Sequence, residues 1–236
     1  MMKRILLIAC FAVSAHAHDF WIEPSTFRPE AGESFTASLR VGENFEGDAV
    51  PRRGARIESF VVRTASGEQP VNGFESQDPA GFVNLDEAGT AVIAYRGKPT
   101  PHELPSAKFK QFLSEEGITG ITPTSAKQRE RFYRFAKSIV GPGSQLAERP
   151  FGWRFELVPS GSRFQLLFEG NPLSGALVTA ISPNGKRLTA RTDANGSVAF
   201  NLGKGAWLIK STHVLPAPKG SDFDWESLWA SLTFEK

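Results

Sequence analysis

Histidine is the residue type in this sequence that is best suited to do chemistry. The 236 residues contain four histidines, at positions 16, 18, 102 and 213, and one cysteine, Cys10. Imidazole nitrogens bind Ni(II), Co(II), Cu(II) and Zn(II), whereas thiolate sites need several cysteines. We therefore expect any metal site in this chain to use nitrogen and oxygen ligands.

Residues 1–17 have the pattern of a secretory signal peptide. Lys3 and Arg4 precede a short apolar run, and the segment AHA at 15–17 matches the small-x-small motif at which such leaders are cleaved. The run is shorter than the roughly 20 apolar residues that span a bilayer. We expect a cleaved leader and a secreted chain that begins at His18 and does not insert into a membrane. The segment LIAC at 7–10 resembles a lipoprotein box, but cleavage there would leave only a short apolar run in the leader.

Removal of this leader would change the composition of the chain in two ways. Without Lys3 and Arg4, 25 basic and 25 acidic side chains remain, and Cys10 is lost. A neutral balance argues against nucleic acid as a partner, because binding to phosphates depends on an excess of positive charge. A mature chain without cysteine excludes a disulfide scaffold and thiol catalysis.

Cleavage after Ala17 would give His18 a free α-amine next to its imidazole. The amine and ring Nδ1 together form a two-nitrogen chelate that suits a divalent transition metal: Ni, Co or Cu. His213 ends the strand-like segment AWLIKSTHV, from which its side chain can project toward another part of the molecule. We therefore assign His18 and His213 as metal ligands, and a carboxylate such as Asp19 or Glu23 could add an oxygen.

Two features of this predicted site stay open. Cleavage after Ala15 would leave HAH at 16–18 as the terminus, and His18 in the third position would then bind Cu(II) or Ni(II) together with the amine and two backbone amides. His102 follows Pro101 in a predicted loop and is interpreted as a surface residue, so its part in the site is not decided.

Sequence motifs of common enzymes are missing or incomplete. There is no Gly-x-Ser-x-Gly, P-loop or Gly-x-Gly-x-x-Gly pattern. The pair His102-Glu103 is followed by Pro105 and has no histidine at position 106, so it does not match a zinc-protease helix. The segment DANG at 193–196 lacks the later ligands of a calcium loop and is typical of a turn. We therefore do not predict an enzyme.

The first part of the mature chain, residues 18–104, has the pattern of a β domain. Alternating apolar residues in SFTASLRV at 34–41 are typical of a half-buried strand, and RIESFVVRT and TAVIAYRG are rich in β-branched residues. Gly, Asn, Asp and Pro separate these segments, as expected for turns. We predict a β-sandwich-like N-terminal domain.

The period changes over residues 105–143, for which we predict a two-helix insert. The first helix follows Pro105 and ends before Gly117, because apolar residues repeat at the spacing i, i+3, i+4. The second is predicted from Ser125 to Val140, with an apolar face of four residues, Phe132, Phe135, Ala136 and Ile139. Its other side carries five basic residues that we interpret as a solvated face, namely Lys127, Arg129, Arg131, Arg134 and Lys137.

The pattern returns to β strands in residues 151–236. Two Asn-Gly pairs, at 184–185 and 195–196, lie between strand-like segments and are strong hairpin signals. Five or six short strands with regular turns predict a small β-sandwich. The fold class expected for the whole chain is therefore mostly β, with helices confined to the insert.

Several segments in order resemble a known bacterial family. They are AHDFWIEP after the leader, KFKQFLSEEGI and RERFYRFAKSIV in the middle, GNPLSGALV and TDANGSVAFNL in the last third, and GAWLIKSTHV and DWESLWASLTFE at the end. The chain resembles the family of periplasmic components of cobalt and nickel transport, which is also known as a domain of unknown function. This resemblance implies a C-terminal domain that is transthyretin-like, or carboxypeptidase-regulatory-like.

The resemblance also implies a function. A member of this family would be a non-enzymatic periplasmic protein that binds nickel or cobalt and serves a membrane metal-uptake transporter. The family's opening histidine corresponds to His18, and the histidine of its late strand corresponds to His213. Two alternatives stay open. The first is a terminal-histidine copper protein, either a copper binder or an oxidase or monooxygenase, for which only Tyr95 and Tyr133 could offer a phenol. The second is a metal-free cell-surface interaction module.

Overall fold

The computed structural model describes residues 18–85 and 89–236. The predicted signal peptide, together with both of its candidate cleavage positions, lies outside the described residues. Within them the chain forms seventeen β-strands, β1 to β17 in chain order, one α-helix and one short 3-10 helix, Gly54–Arg56. No helix in this part of the chain is long and apolar enough to cross a membrane. The prediction of a mostly β fold is confirmed.

Nine of the strands form one large sheet, which we call the middle sheet. Its order is β14-β13-β16-β17-β9-β7-β4-β5, and β8 pairs with β9 beyond the end of β7. Neighbouring strands are antiparallel except for β17 and β9, which are parallel. Its strands are β4 (Ile57–Thr64), β5 (Gly67–Pro70), β7 (Ala91–Gly97), β8 (Thr100–Pro105), β9 (Lys127–Val140), β13 (Leu177–Ile181), β14 (Arg187–Arg191), β16 (Ala206–Pro216) and β17 (Trp225–Glu235).

Two four-stranded sheets cover the middle sheet, one on each face. The N-terminal outer sheet contains β1 (Asp19–Pro24), β2 (Ser34–Glu43), β3 (Glu46–Ala49) and β6 (Gly81–Asn84). The C-terminal outer sheet contains β10 (Phe155–Ser160), β11 (Arg163–Phe168), β12 (Asn171–Pro172) and β15 (Ser197–Ala199). We call the face of the middle sheet under the N-terminal outer sheet the front face, and the opposite face the back face.

Side-chain alternation along the strands of the middle sheet explains why it has a core on each face. On β7, Ile93 and Tyr95 pack in the front core with Phe20 of β1, whereas Val92 and Ala94 pack in the back core with Phe155 of β10 and its neighbours. A strand that is covered on both faces reads as a nearly continuous apolar run, which is the pattern of β7. The middle sheet is thus the shared layer of two sandwiches.

The first predicted helix is confirmed as α1, Ser106–Glu115, and it packs on the front face. Phe109 and Phe112 are buried and stack on the indoles of Trp225 and Trp229, with ring centroids 5.6 and 5.1 Å apart. The helix ends two residues before Gly117, whose φ is +61°. This positive φ is the ordinary end of a helix at glycine.

The second predicted helix is wrong, because Lys127–Val140 form the fourteen-residue strand β9. Its last six residues are all buried between the two cores, so the polar alternation that identifies a strand is missing there. The predicted solvated basic face is also wrong in part. Lys137 is buried and donates a 2.8 Å hydrogen bond to Glu156 of β10. The insert therefore has one helix and one strand.

The middle sheet takes strands from all three predicted segments of the mature chain. Strands β4, β5, β7 and most of β8 come from 18–104, β9 from 105–143, and β13, β14, β16 and β17 from 151–236. The predicted domain boundaries stay predictions, but β9 and β17 join the N-terminal and C-terminal parts by continuous backbone pairing from Trp225↔Glu130 to Thr233↔Ser138.

Candidate functional site

A cleft of about 960 Å³ opens beside the start of β1, and we call it the His18 cleft. It lies between the β2–β3 hairpin, the end of α1 and the strands β14 and β16. Among the described residues that line it, six are carboxylates and two are cations, so the cleft is acidic. The lining residues are His18, Asp19, Val41, Gly42, Glu43, Asn44, Glu46, Gly47, Asp48, Glu115, Glu116, Arg187 and Lys210.

The floor of the His18 cleft is a buried group of charged side chains. Lys210 Nζ of β16 donates hydrogen bonds to Asp19 Oδ1 of β1 at 2.5 Å and to Glu116 Oε1, just after α1, at 2.7 Å. Thr212 Oγ1 donates to the second oxygen of Glu116 at 2.9 Å. All four residues are buried. One ammonium thus holds together three segments that are far apart in the sequence.

The protonation of this floor reflects its burial. Burial raises the pKa of Asp19 to about 6, although the Lys210 ammonium opposes this shift. For Lys210, burial favours the neutral amine, but Asp19 and Glu116 outweigh it and raise the pKa of the ammonium. At neutral pH an ionised Asp19 carboxylate therefore pairs with the Lys210 ammonium on the floor.

Local sequence explains how the β2–β3 hairpin shapes one wall. Asn44 and Phe45, with φ of +55° and +64°, form the two-residue loop of the hairpin. Gly42 and Gly47 then face each other across the strands. A Cβ on Gly42 would lie 2.1 Å from the Glu46 carbonyl oxygen, and one on Gly47 would lie 2.8 Å from the Trp21 ring. Only glycines allow this close packing.

The end of α1 supplies the opposite wall and is fixed to the C-terminal part of the middle sheet. A side chain at Gly117 would meet Leu177 Cδ2 of β13 at 2.9 Å, so the helix end lies directly on that strand. Arg191 of β14 donates a hydrogen bond to the Gly117 carbonyl at 2.8 Å. These contacts place Glu116 over β16, where it reaches Lys210 and Thr212.

His18 is half-buried and lies on the lining of the cleft, immediately before β1. The residue, with its imidazole and its backbone nitrogen, lies on the same cleft as the carboxylates of the hairpin and of the end of α1. Within 18–85 and 89–236, no group of three or more His, Cys, Asp or Glu side chains is arranged to hold a metal ion. Side chains of the described residues alone therefore do not form a three-ligand metal site.

His213 lies on the other side of the middle sheet from the His18 cleft. It is three residues after Lys210 on the regular strand β16, so the two side chains point to opposite faces. The His213 ring packs against Phe168 and Phe155 of the C-terminal outer sheet, with centroids 4.7 and 6.0 Å away. Burial, and then the charge of Arg154, lower the pKa of His213 below 6.5. The structure does not bring His18 and His213 together.

The remaining candidate ligands have partners of their own. His102 Nδ1 lies 2.9 Å from Glu130 Oε1, and Ser227 donates a 2.5 Å hydrogen bond to the other oxygen of Glu130. Glu23 accepts a 2.6 Å hydrogen bond from Arg40 Nε. Neither His102 nor Glu23 lines the His18 cleft.

The sequence reasoning missed Lys210 and Glu116. A signal for Lys210 was present, because a single lysine in the centre of the apolar segment AWLIKSTHV has to be paired if the strand is buried. Nothing in the sequence indicated that Glu116 would be its partner, because 94 residues separate the two.

The comparisons with known proteins place this chain in a family. A family model described as "Domain of unknown function (DUF4198)" matches residues 15–215. This match covers most of the chain, so the protein belongs to that family. No curated protein and no solved structure matches the chain at a significant level.

Proposed function

We propose that this protein is a periplasmic binding protein for a divalent transition metal, nickel or cobalt, and that His18 is the anchoring ligand. The observation that carries the proposal is the position of His18 on a cleft whose lining has six carboxylates and two cations. Cleavage after Ala17, which the sequence pattern predicts, would create the α-amine.

The ligand chemistry of the proposed site follows from these residues. The α-amine and the imidazole of His18 supply two neutral nitrogens, which suit Ni(II), Co(II) and Cu(II). Asp19 and Glu116 are already engaged by Lys210, so the lining carboxylates left for the metal are Glu43, Glu46 and Asp48 of the hairpin and Glu115 of α1. Their charge attracts a cation to the cleft and increases the rate at which it binds.

His213 has no part in this proposal, because it lies on the back face against aromatic rings. The proposal therefore keeps one of the two ligands that the sequence predicted. Delivery of the metal to a membrane uptake transporter is proposed from the family resemblance alone.

Isothermal titration calorimetry with NiCl₂, CoCl₂ and CuCl₂ tests this assignment. The mature protein, with its first residue established by intact mass, is expected to bind one metal ion. His18→Ala is expected to weaken binding at least about tenfold, or about 1.4 kcal/mol. His213→Ala is the matched control and is expected to keep the affinity. Equal affinity of His18→Ala and the unaltered protein would contradict the proposal.

The two alternatives from the sequence stay predictions, and both can be tested on the mature protein. A terminal-histidine copper enzyme predicts copper-dependent consumption of oxygen or peroxide, yet neither Tyr95 nor Tyr133 lines the His18 cleft to provide a phenol. A metal-free interaction module predicts that no metal is bound and that a chelator leaves the melting temperature unchanged.

A further inference from the structure

Arg134 of β9 has an environment that the metal proposal does not explain. Its side chain is partly buried on the front face, and its guanidinium carbon lies 4.8 Å from the centre of the Phe20 ring and 5.0 Å from that of Phe132. In the part of the chain that the structure describes, Arg134 makes neither an ion pair nor a hydrogen bond to a side chain or a carbonyl. The rings hold the guanidinium in place but do not neutralise its charge.

Two more arginines lie near the same group of aromatic rings, Arg52 through its guanidinium and Arg56 through its backbone. The guanidinium of Arg52 lies 5.8 Å from the centre of the Phe60 ring, and the Phe60 ring lies 5.6 Å from that of Tyr95. The backbone carbonyl of Arg56 accepts a 3.5 Å hydrogen bond from Tyr95 Oη. Arg52, Arg56 and Arg134 all lower the pKa of the Tyr95 phenol, against the larger effect of its burial. We call these three residues the arginine cluster.

The arginine cluster has no carboxylate of its own. Across residues 18–85 and 89–236, none of its three members forms an ion pair: Arg52 donates to the carbonyls of Val71 and Ala80, and Arg56 donates to Thr100 Oγ1. The buried carboxylate of Glu130, on the same strand as Arg134, is held by His102 and Ser227.

A partly buried cation without a counter-ion is energetically costly, and the lowered pKa of Arg134 reflects this cost. Burial and the charge of Arg56 lower the pKa of Arg134 to about 10, although the Tyr95 phenol opposes this shift. Arg134 is still protonated at neutral pH. A guanidinium is planar and presents paired N–H donors that match the two oxygens of a carboxylate or a phosphate.

We propose that the arginine cluster is a binding site for a small oxyanion, a free carboxylate or phosphate, which pairs with the Arg134 guanidinium and with the more exposed Arg56. None of the three arginines lines the His18 cleft, so this site is separate from the proposed metal site and does not depend on it. The two flanking rings restrict access to Arg134, which favours a small anion over the flat surface of a lipid bilayer.

Titration with sodium phosphate and with sodium citrate, followed by calorimetry and by thermal unfolding, tests this site. Sodium chloride at equal ionic strength is the control for screening. We expect saturable binding and a rise in melting temperature with at least one of the two oxyanions and neither effect with chloride. No saturable effect with either oxyanion, or an equal effect with chloride, would overturn the proposal.

Two variants connect this effect to the arginine cluster. Arg134→Met is expected to abolish the anion effect and, without anion, to melt at the same temperature as the unaltered protein or higher, because it removes an unpaired cation. Arg131→Met, on the same strand but the opposite face, is the matched control and is expected to keep the effect. An anion effect that survives in Arg134→Met would overturn the proposal.

A third variant keeps the test decisive if Arg134→Met does not fold. Arg56→Gln changes an exposed side chain, and we expect it to weaken binding of the same oxyanion by about tenfold, or about 1.4 kcal/mol. Unchanged affinity in Arg56→Gln would contradict the role of Arg56.

Vesicles that contain phosphatidylglycerol distinguish a lipid headgroup from free phosphate as the source of the anion. We expect no co-sedimentation of the protein with these vesicles. Binding to vesicles without binding to free phosphate or citrate would overturn the assignment to a small anion.

Discussion

Lys210 is the residue on which the floor of the His18 cleft depends. Its ammonium is the shared partner of Asp19 and Glu116, both of which are buried. Replacement by methionine keeps most of the length of the side chain but leaves two buried carboxylates without their cation. We expect Lys210→Met to lower the free energy of unfolding by about 3–5 kcal/mol, the range for breaking a buried ion pair. Denaturation with urea at pH 7 measures this change.

A matched control separates the ion pair from a general effect of losing a lysine. Lys204 is exposed and lies just before β16, so Lys204→Met is expected to change the free energy of unfolding by less than about 0.5 kcal/mol. If Lys210→Met were as stable as this control, the buried group would not be held together by charge as described.

His213 provides a pH-dependent prediction at the same scale. Burial, and to a smaller extent the charge of Arg154, favour the neutral ring, so its pKa in the folded protein lies below the 6.5 of an exposed histidine. The contribution of this ring to stability is therefore present above pH 6.5 and is lost as the pH falls through the lowered pKa. NMR titration of the histidine rings is expected to show His213 titrating below 6.5.

Arg154→Gln tests the cause of that shift. Removal of the guanidinium charge is expected to raise the pKa of His213 only in part, because burial is the larger cause. A pKa above 6.5 in the unaltered protein would show that the ring is more solvated than the contacts with Phe155 and Phe168 indicate.

At the scale of single residues, local sequence features suggested His18 and His213 as ligands but did not determine whether the two side chains lie close together. His18 was proposed from its position after a predicted leader, which is local information. Whether His213 faces His18 depends on the face of β16 from which its side chain projects, and a one-residue change of register reverses that face. Spacing within a sequence does not fix this, so the pair could not be predicted.

At the scale of elements, the hairpin of β2 and β3 determines the shape of the His18 cleft. We expect Gly42→Ala to be destabilising by about 1–3 kcal/mol, the range for overpacking, because the added Cβ would lie 2.1 Å from the Glu46 carbonyl oxygen. The change should also weaken metal binding, since Glu43 and Glu46 flank the loop. Urea denaturation and calorimetry measure the two effects.

The control for this prediction is a glycine that has space around it. No atom lies within 4 Å of a Cβ built on Gly143, and its backbone does not require glycine. Gly143→Ala is expected to leave both the stability and the metal affinity unchanged. Similar behaviour of the two variants would indicate that the hairpin is not closely packed.

Strand β9 shows what periodicity can and cannot determine. Phe132, Phe135, Ala136 and Ile139 fit a helical face, and the same residues fit a strand whose two faces are both covered. Helix α1 was predicted correctly because one of its faces is exposed and Gly117 ends it. A strand in the centre of a three-layer fold has no exposed face, so the distinction depends on tertiary structure.

At the scale of the whole molecule, the pairing of β9 with β17 joins the two halves of the chain. The middle sheet is continuous across the predicted domains, and the buried pair Lys137–Glu156 connects it to the C-terminal outer sheet. We therefore expect one cooperative unfolding transition in differential scanning calorimetry, with equal calorimetric and van't Hoff enthalpies. Two resolved transitions would show that the N-terminal and C-terminal parts unfold independently.

The sequence predicted the β class and the segments of most strands but not their assembly into three layers. The hairpin at Asn184-Gly185, which joins β13 and β14, is encoded locally and was predicted correctly. The hairpin predicted at Asn195-Gly196 is wrong, because this turn leads from β14 of the middle sheet to β15, which pairs with β11 in the C-terminal outer sheet. The parallel pair β9–β17 joins residues about 95 positions apart, and no local pattern specifies such a partner.

The most direct test of the metal proposal compares Ni(II) binding by two forms of the mature protein. One begins at His18, as established by intact mass, and the other carries four additional Gly and Ser residues before His18. The extension converts the α-amine of His18 into a peptide amide and leaves every side chain unchanged. We expect the affinity to fall at least about 100-fold, or about 2.7 kcal/mol, in the extended form. Equal affinities in calorimetry would contradict the claim that the amino terminus forms part of the metal site.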